Sequence, residues 1–398
     1  MRRYLEPGLL PFMLLLAVLP FPGTVALRLL CLAVAFAYVV CTWKRLAVPA
    51  IPFKKVLMAW AIVAFASLFY AVDPAYSLSE IKNEFGYTMM AFVAFFAISN
   101  SEKRLKWLLC ALAAAGLLLS LAAIFACFKS GRWDNTRWFG GIASYATYLA
   151  ATVPAAVLLG YFFDDKKLRF LAGLFLFILL AAGFYSGQRI VWPVLFLQAF
   201  VGLLFLRKNF GFGVLRISVI LVALTLAGLT AFFNVQALRF QNYEWENTAP
   251  NQTISTDDRV AFWPHVSARI LAHPLSGAGF GRLAMKKAYP DLIPRNNTEL
   301  WHPHNVILNY GVSMGLPGIA VILLIFGALG WQYLRFWRHS DRRLQLLGAC
   351  GLALVLGVFL RNMVNDLFLR DGALLFWALN GSFIGLGLRL MAKRPAAP

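Results

Sequence analysis

Apolar residues run along this chain in long blocks parted by short polar turns. A helix needs about 20 residues to cross the hydrocarbon of a bilayer. On that measure the blocks predict about twelve spans, near residues 8–21, 25–42, 55–71, 84–99, 106–128, 142–163, 168–185, 190–206, 214–234, 315–337, 344–361 and 372–391. Pro20, Pro22 and Gly23 crowd the first turn, and Arg28 sits inside the second span as the one clear charge within a membrane block. The blocks are continuous rather than alternating in ten-residue segments, so a transmembrane β-barrel fits poorly. The fold class expected is all-α, a polytopic helical membrane protein forming one integral domain over residues 1–398.

Composition narrows the class further. Of 398 residues, 61% are apolar and 14% charged, and the mean hydropathy is +0.70. Soluble domains run about 45–50% apolar and about 25% charged. A soluble enzyme with this composition would lack polar residues to cover its surface, and a disordered chain is excluded for the same reason. The five cysteines (Cys31, Cys41, Cys110, Cys127, Cys350) lie in or beside apolar blocks, without a CxxC or CxxH spacing. Neither a disulfide framework nor a zinc site is supported.

Lys and Arg total 37 against 17 Asp and Glu, a net charge of +20. In a soluble protein that excess would suggest nucleic acid. Here it sorts by loop instead. With the N-terminus inside, the inside turns hold about three times as many Lys and Arg as the short outside ones, which is the positive-inside bias. Both termini are therefore expected in the cytoplasm, and no nucleic-acid partner is expected. Residues 235–303 break the rhythm as a long polar stretch on the outer face. A loop this long is usually functional, and it holds or adjoins every histidine except His339.

Three features of the outer face can carry chemistry. The first is Trp301-His302-Pro303-His304-Asn305. Pro303 suits a helix start, which would put His304 in the first turn of a short amphipathic helix. There the helix dipole favours a neutral imidazole able to accept a proton. The plain alternative is an interfacial histidine bonded to a carbonyl. The second is Arg189, in the very short outside turn Tyr185-Ser186-Gly187-Gln188-Arg189. An arginine so near the bilayer is paired, functional or snorkelling to lipid phosphate. The third is Arg259, in Thr256-Asp257-Asp258-Arg259, which reads as a capped helix start with Thr256 or Asp257 at the N-cap,. Its plain reading is a salt bridge to Asp257 or Asp258. Downstream, His273-Pro274-Leu275-Ser276-Gly277-Ala278-Gly279-Phe280-Gly281 reads as a helix stop and a glycine-rich turn. Arginine forks match phosphate oxygens and keep their charge, while histidine suits proton abstraction from a hydroxyl. An anionic lipid-phosphate donor and a hydroxyl acceptor would use both.

Two clusters are weaker. Arg132, Trp133, Arg137 and Trp138 alternate cation and aromatic in an outside loop. They would meet sugars or lipid phosphates, or form an interfacial anchor belt. Arg361, Asn362, Asn365, Asp366 and Arg370 close span eleven at spacings that put several on one helical face,. They read as partners of the site or as helix-packing contacts, with packing favoured.

The pattern His304-Asn305, nine residues, Gly315, two residues, Gly318 resembles the signature of the O-antigen ligases, in a superfamily that also holds O-antigen polymerases. Val72-Asp73-Pro74 with Ser77-Leu78, Arg259 with Trp263, and Pro274 with Gly277 and Gly279 resemble other family segments in the same order. The resemblance implies a GT-C-type glycosyltransferase in the bacterial inner membrane, with a large periplasmic loop over 235–303. Its donor would be an undecaprenyl-diphosphate-linked O-antigen and its acceptor the lipid A–core, amid membrane lipids. His304 matches the family's proposed base, and Arg189 and Arg259 its diphosphate-gripping arginines. His302, Asn305, Arg132, Arg137 and Asp366 stand as supporting residues.

The chain contains no Asp-x-Asp, so a Mg²⁺-bridged diphosphate has no evident ligand set. No metal and no cofactor is expected. Transfer by the purified protein should survive a chelator; activity lost in chelator and restored by Mg²⁺ or Mn²⁺ would reject that expectation.

Two rival readings remain. A polymerase would use the same donor but tends to show two long outer loops rather than one. A secondary transporter of an anionic solute calls for mid-membrane charges and symmetric broken helices, whereas the polar residues here gather on the outer face and no internal repeat is evident.

Overall fold

The computed structural model describes residues 6–21, 23–130, 142–210, 258–293, 300–365 and 370–393, with isolated positions 213, 219, 220, 223, 226, 228, 230 and 368. Arg132, Arg137 and Asp366, and most of the expected span 214–234, lie outside these residues. The described residues are helical throughout, without a strand. The helices are α1 (Leu10–Val18), α2 (Val25–Leu46), α3 (Lys54–Ala66), α4 (Pro74–Glu80), α5 (Tyr87–Ile98), α6 (Glu102–Ser130), α7 (Ile142–Tyr161), α8 (Lys166–Tyr185), α9 (Val191–Phe210), α10 (Asp258–Ala272), α11 (Arg282–Ala288), α12 (Val306–Arg338), α13 (Arg342–Arg361) and α14 (Arg370–Lys393).

Among the described residues, seven helices are long and apolar enough to cross a membrane: α2, α6, α8, α9, α12, α13 and α14. The chain is thus a multi-pass helical membrane protein, and the expected count of twelve is met by seven on this measure. Part of the gap has a local cause. The blocks at 8–21, 55–71 and 84–99 are broken by short 3₁₀ or π turns at Pro7–Leu9, Ser67–Phe69 and Ile81–Gly86, so α1, α3 and α5 are each too short alone.

Polar residues start and stop the helices as backbone chemistry requires. The carboxylates of Asp73, Asp165 and Asp341 accept N–H groups in the first turns of α4, α8 and α13, satisfying donors that have no intrahelical partner. Basic residues close α2, α9 and α12, where the helix dipole favours positive charge.

The bundle has a centre and a rim. Helices α13 and α14 are mostly buried, whereas α2 and α8 are mostly exposed, so the last two helices form the hub and the latter pair the rim. Helix α14 approaches α5 through Gly381 and Gly385, where an added Cβ would lie 2.5 Å from the Phe92 carbonyl and 2.2 Å from that of Phe96. Small residues spaced by four allow this close helix contact in a bilayer.

The arginine expected inside the second span is partnered. Arg28, 4% exposed, pairs with Asp371 and donates to the Thr24 hydroxyl at 2.7 Å and the Phe21 carbonyl at 2.6 Å. That set offsets the cost of an arginine at membrane depth and joins the start of α2 to the start of α14. Arg28 is not the sole buried charge, because Arg361 is fully buried and Glu84 is 9% exposed.

The direction of α9 fixes one end of the bundle. Its Lys208 ammonium donates to the Trp337 carbonyl near the end of α12 at 2.7 Å, and its Gln198 amide bridges the Ala150 and Ala353 carbonyls. The start of α9 therefore lies at the opposite end, with the start of α12 and the close of α13.

Candidate active site

The segment ahead of α12 departs from its expected form. The helix does not begin at Pro303. Asn305 is the N-cap, its side-chain oxygen accepting from the Ile307 and Leu308 N–H groups at 3.0 and 3.2 Å. His304 lies one residue outside the helix, in the left-handed region with φ +52°. Asparagine out-competes proline here because it satisfies two orphan donors at once. A left-handed histidine costs on the order of 1 kcal/mol, and such strain concentrates at functional positions.

Three consecutive carbonyls hold this segment and Arg259 in place. After α13 closes at Arg361, the turn 362–365 presents the Asn362 oxygen to the Val306 N–H at 2.9 Å. It presents the Met363 oxygen to the Asn305 amide at 3.0 Å, and the Val364 oxygen to Arg259 Nη1 at 2.6 Å. The next side chain, Asn365, places Oδ1 3.4 Å from His304 Nδ1. The residues expected to share one face of a longer helix thus form a turn and a new helix start at Arg370, with φ +46°. Asn365 meets the histidine, and packing alone does not account for it.

Helix α10 supplies the arginine. Arg259 is its second described residue, and Trp263 follows four positions later on the same face. Trp263 Nε1–H donates to the Pro303 carbonyl at 2.8 Å, so the two side chains tie α10 to the segment before α12 and to the turn after α13. Along the same stripe, at i+3, i+7 and i+11 from Arg259, α10 buries Phe262, Val266 and Ile270 with Met285, Leu300 and Val312 in a small core separate from that of the bundle. The expected N-cap residues Thr256 and Asp257 lie outside the described residues.

His302 backs His304. It is 4% exposed, its ring centroid lies 3.8 Å from that of His304, and its Nδ1 accepts the His304 backbone N–H at 3.2 Å. Burial, then His304, Arg282 and Arg259, push the His302 pKa down to about 2. The ring is therefore neutral at any working pH, as an acceptor at Nδ1 requires. Arg282, at the start of α11, stacks its guanidinium 5.7 Å from the Trp301 ring.

The glycine-rich stretch clamps this assembly to α12. Helix α10 stops at Ala272, as the sequence predicts. The Ala278 and Gly279 N–H groups then donate to the Val312 and Ser313 carbonyls at 2.9 and 3.0 Å, and the Leu316 N–H donates to the Pro274 carbonyl at 2.7 Å. Gly315 breaks α12 at φ +68°, ψ −160°, a conformation essentially reserved for glycine. A Cβ there would lie 2.6 Å from the Pro274 oxygen. The Ala278 carbonyl accepts from the Val72 N–H at 3.1 Å, and Lys287 pairs with Asp73. The segment around Val72 and Asp73, the glycine turn and the kinked helix are thus one packed unit. Gly315→Ala should destabilise the protein by about 2–4 kcal/mol, read as a lower thermal midpoint in detergent. Gly327→Ala in the same helix, where a Cβ meets nothing within 4 Å, should leave stability unchanged or raise it by up to about 1 kcal/mol. Equal midpoints for the two variants would reject the clamp.

Of the residues singled out by sequence, His302, His304, Asn305 and Arg259 are brought together. Among the described residues, no hydrogen bond or ion pair joins Arg189 to them. It stands half-buried in the turn before α9, at the same end of the bundle. Arg282, Arg361 and Asn365 join the group by position. Arg282 had no motif to mark it beyond following the glycine turn.

A family model described as O-antigen ligase matches residues 173–323. This segment belongs to the O-antigen ligase family. The O-antigen ligase segment contains Arg189, Arg259, His302, His304, Gly315 and Gly318, and it ends within α12. The turn 362–365, which holds Arg259 and His304 from behind, lies beyond it. No curated protein matches the chain.

Proposed function

We propose that the chain is an O-antigen ligase, acting at the periplasmic face of a bacterial inner membrane with both termini in the cytoplasm. In this reading it moves a polysaccharide from undecaprenyl diphosphate to a sugar hydroxyl of lipid A–core. The observation that supports it best is the joint mounting of Arg259 and His304 on one turn, through Val364 and Asn365, with both residues inside the O-antigen ligase segment. Arg259, with Arg189 from the turn before α9, neutralises the diphosphate and makes it a good leaving group. His304 takes the proton of the acceptor hydroxyl. The hydroxyl oxygen bonds to the anomeric carbon as the bond to the diphosphate oxygen breaks, inverting that centre. The carrier leaves as undecaprenyl diphosphate.

A deletion strain tests the reading. It should make rough lipopolysaccharide and accumulate carrier-linked glycan that is already polymerised. Accumulation of single repeat units only would favour a polymerase with the same donor. Unchanged lipopolysaccharide would remove both.

A further inference from the structure

Asn365 comes from the turn behind the site, outside the matched O-antigen ligase segment, and its side chain faces one atom of His304. The contact joins Asn365 Oδ1 and His304 Nδ1 at 3.4 Å. An amide oxygen only accepts, so a bond in this sense requires the proton on Nδ1. The other ring nitrogen, Nε2, then carries the lone pair. His302 meets the same ring at 3.8 Å between centroids and accepts the His304 backbone N–H through its own Nδ1. The ring of His304 is thereby held by a polar arm at Nδ1 and a buried neighbouring ring. Its backbone is fixed in the left-handed region at φ +52°.

The turn leaves Asn365 little freedom. The three residues before it are pinned through their carbonyls to Val306, Asn305 and Arg259. An acceptor mounted on so constrained a turn orients a base as a third group does in any nucleophile–base–orienter set.

We propose that Asn365 is a positioning residue for His304: its side-chain carbonyl takes the Nδ1 proton and leaves the Nε2 lone pair to receive the proton of the acceptor hydroxyl. The assignment of a role to Nε2 rests on the proposed function, whereas the assignment of the tautomer does not.

The test uses the full chain in lipid nanodiscs with ¹⁵N-labelled histidine, the His304 signals being identified by their loss in His304→Gln. In the resting protein Nδ1 should be protonated and Nε2 unprotonated. Asn365→Leu should move the His304 ring toward the Nε2–H form and lower kcat about 10–100-fold, with donor KM within about twofold. Asn365→Asp keeps the acceptor oxygen and serves as the rescue. It should retain the Nδ1–H form and raise the acid limb of the kcat/KM profile by about one pH unit, since a carboxylate favours the charged ring. A wild-type ring in the Nε2–H form would overturn the proposal. So would an Asn365→Leu protein with an unchanged tautomer, or one that loses activity only through a higher donor KM. The spectrum is read without substrate, so full activity of His304→Ala would sink the function and leave the tautomer result standing.

Discussion

Replacing His304 with alanine is expected to lower transfer at least about 100-fold, because a positioned general base typically contributes 10²–10⁴. The loss should fall in kcat, with donor KM close to wild type, since the imidazole acts on the acceptor proton and not on the carrier. The backbone complicates the reading, because His304 sits at φ +52° and alanine tolerates that region poorly. His304→Asn answers this difficulty. Asparagine is among the residues that adopt the left-handed conformation readily and offers no basic nitrogen. Both variants should make rough lipopolysaccharide while remaining in the membrane at normal abundance. Near-normal ladders from His304→Asn would count against the proton-acceptor role.

Arg259→Ala is expected to be nearly as damaging for a different reason. A hydrogen bond to a charged group is worth about 1.5–3 kcal/mol, so losing one from a bound diphosphate should lower kcat/KM for the donor about 10–100-fold. The acceptor KM should change little. Arg259 also holds the Val364 carbonyl at 2.6 Å, so the alanine variant should lose thermal stability as well. Arg189 makes no such side-chain bond among the described residues, and Arg189→Ala should weaken donor use without that structural cost. Arg259→Lys separates charge from geometry: it keeps the cation, loses the fork and should fall between wild type and alanine. Unchanged donor affinity in both alanine variants would remove the diphosphate argument.

Much of the helical layout was legible because membrane spans are written in continuous apolar blocks. The expected start of span ten at 315 coincides with the break of α12 at Gly315. The stop after His273 and the close of α13 at Arg361 were also readable. Span number was less so, because the turns at Ser67–Phe69 and Ile81–Gly86 sit inside apolar sequence and leave no polar mark. At the site, His304 and Arg259 stood out as residue types matched to a chemistry. The cap at Asn305 was missed because Pro303 offered an equally plausible start, and local rules do not rank the two. Asn365 was read as packing because its spacing from Arg361 suits a helical face, and only the tertiary fold shows the chain turning there.

The turn 362–365 meets its partners through main-chain oxygens until its final side chain. The Met363 and Val364 side chains take no part in those bonds, so neither letter is held by them. What the arrangement does demand is a fixed count of residues between Arg361 and Asn365. One residue more or fewer would slide each carbonyl past its donor and pull the arginine and the histidine out of step together. Divergent relatives built the same way should vary in wording at this turn and agree in length.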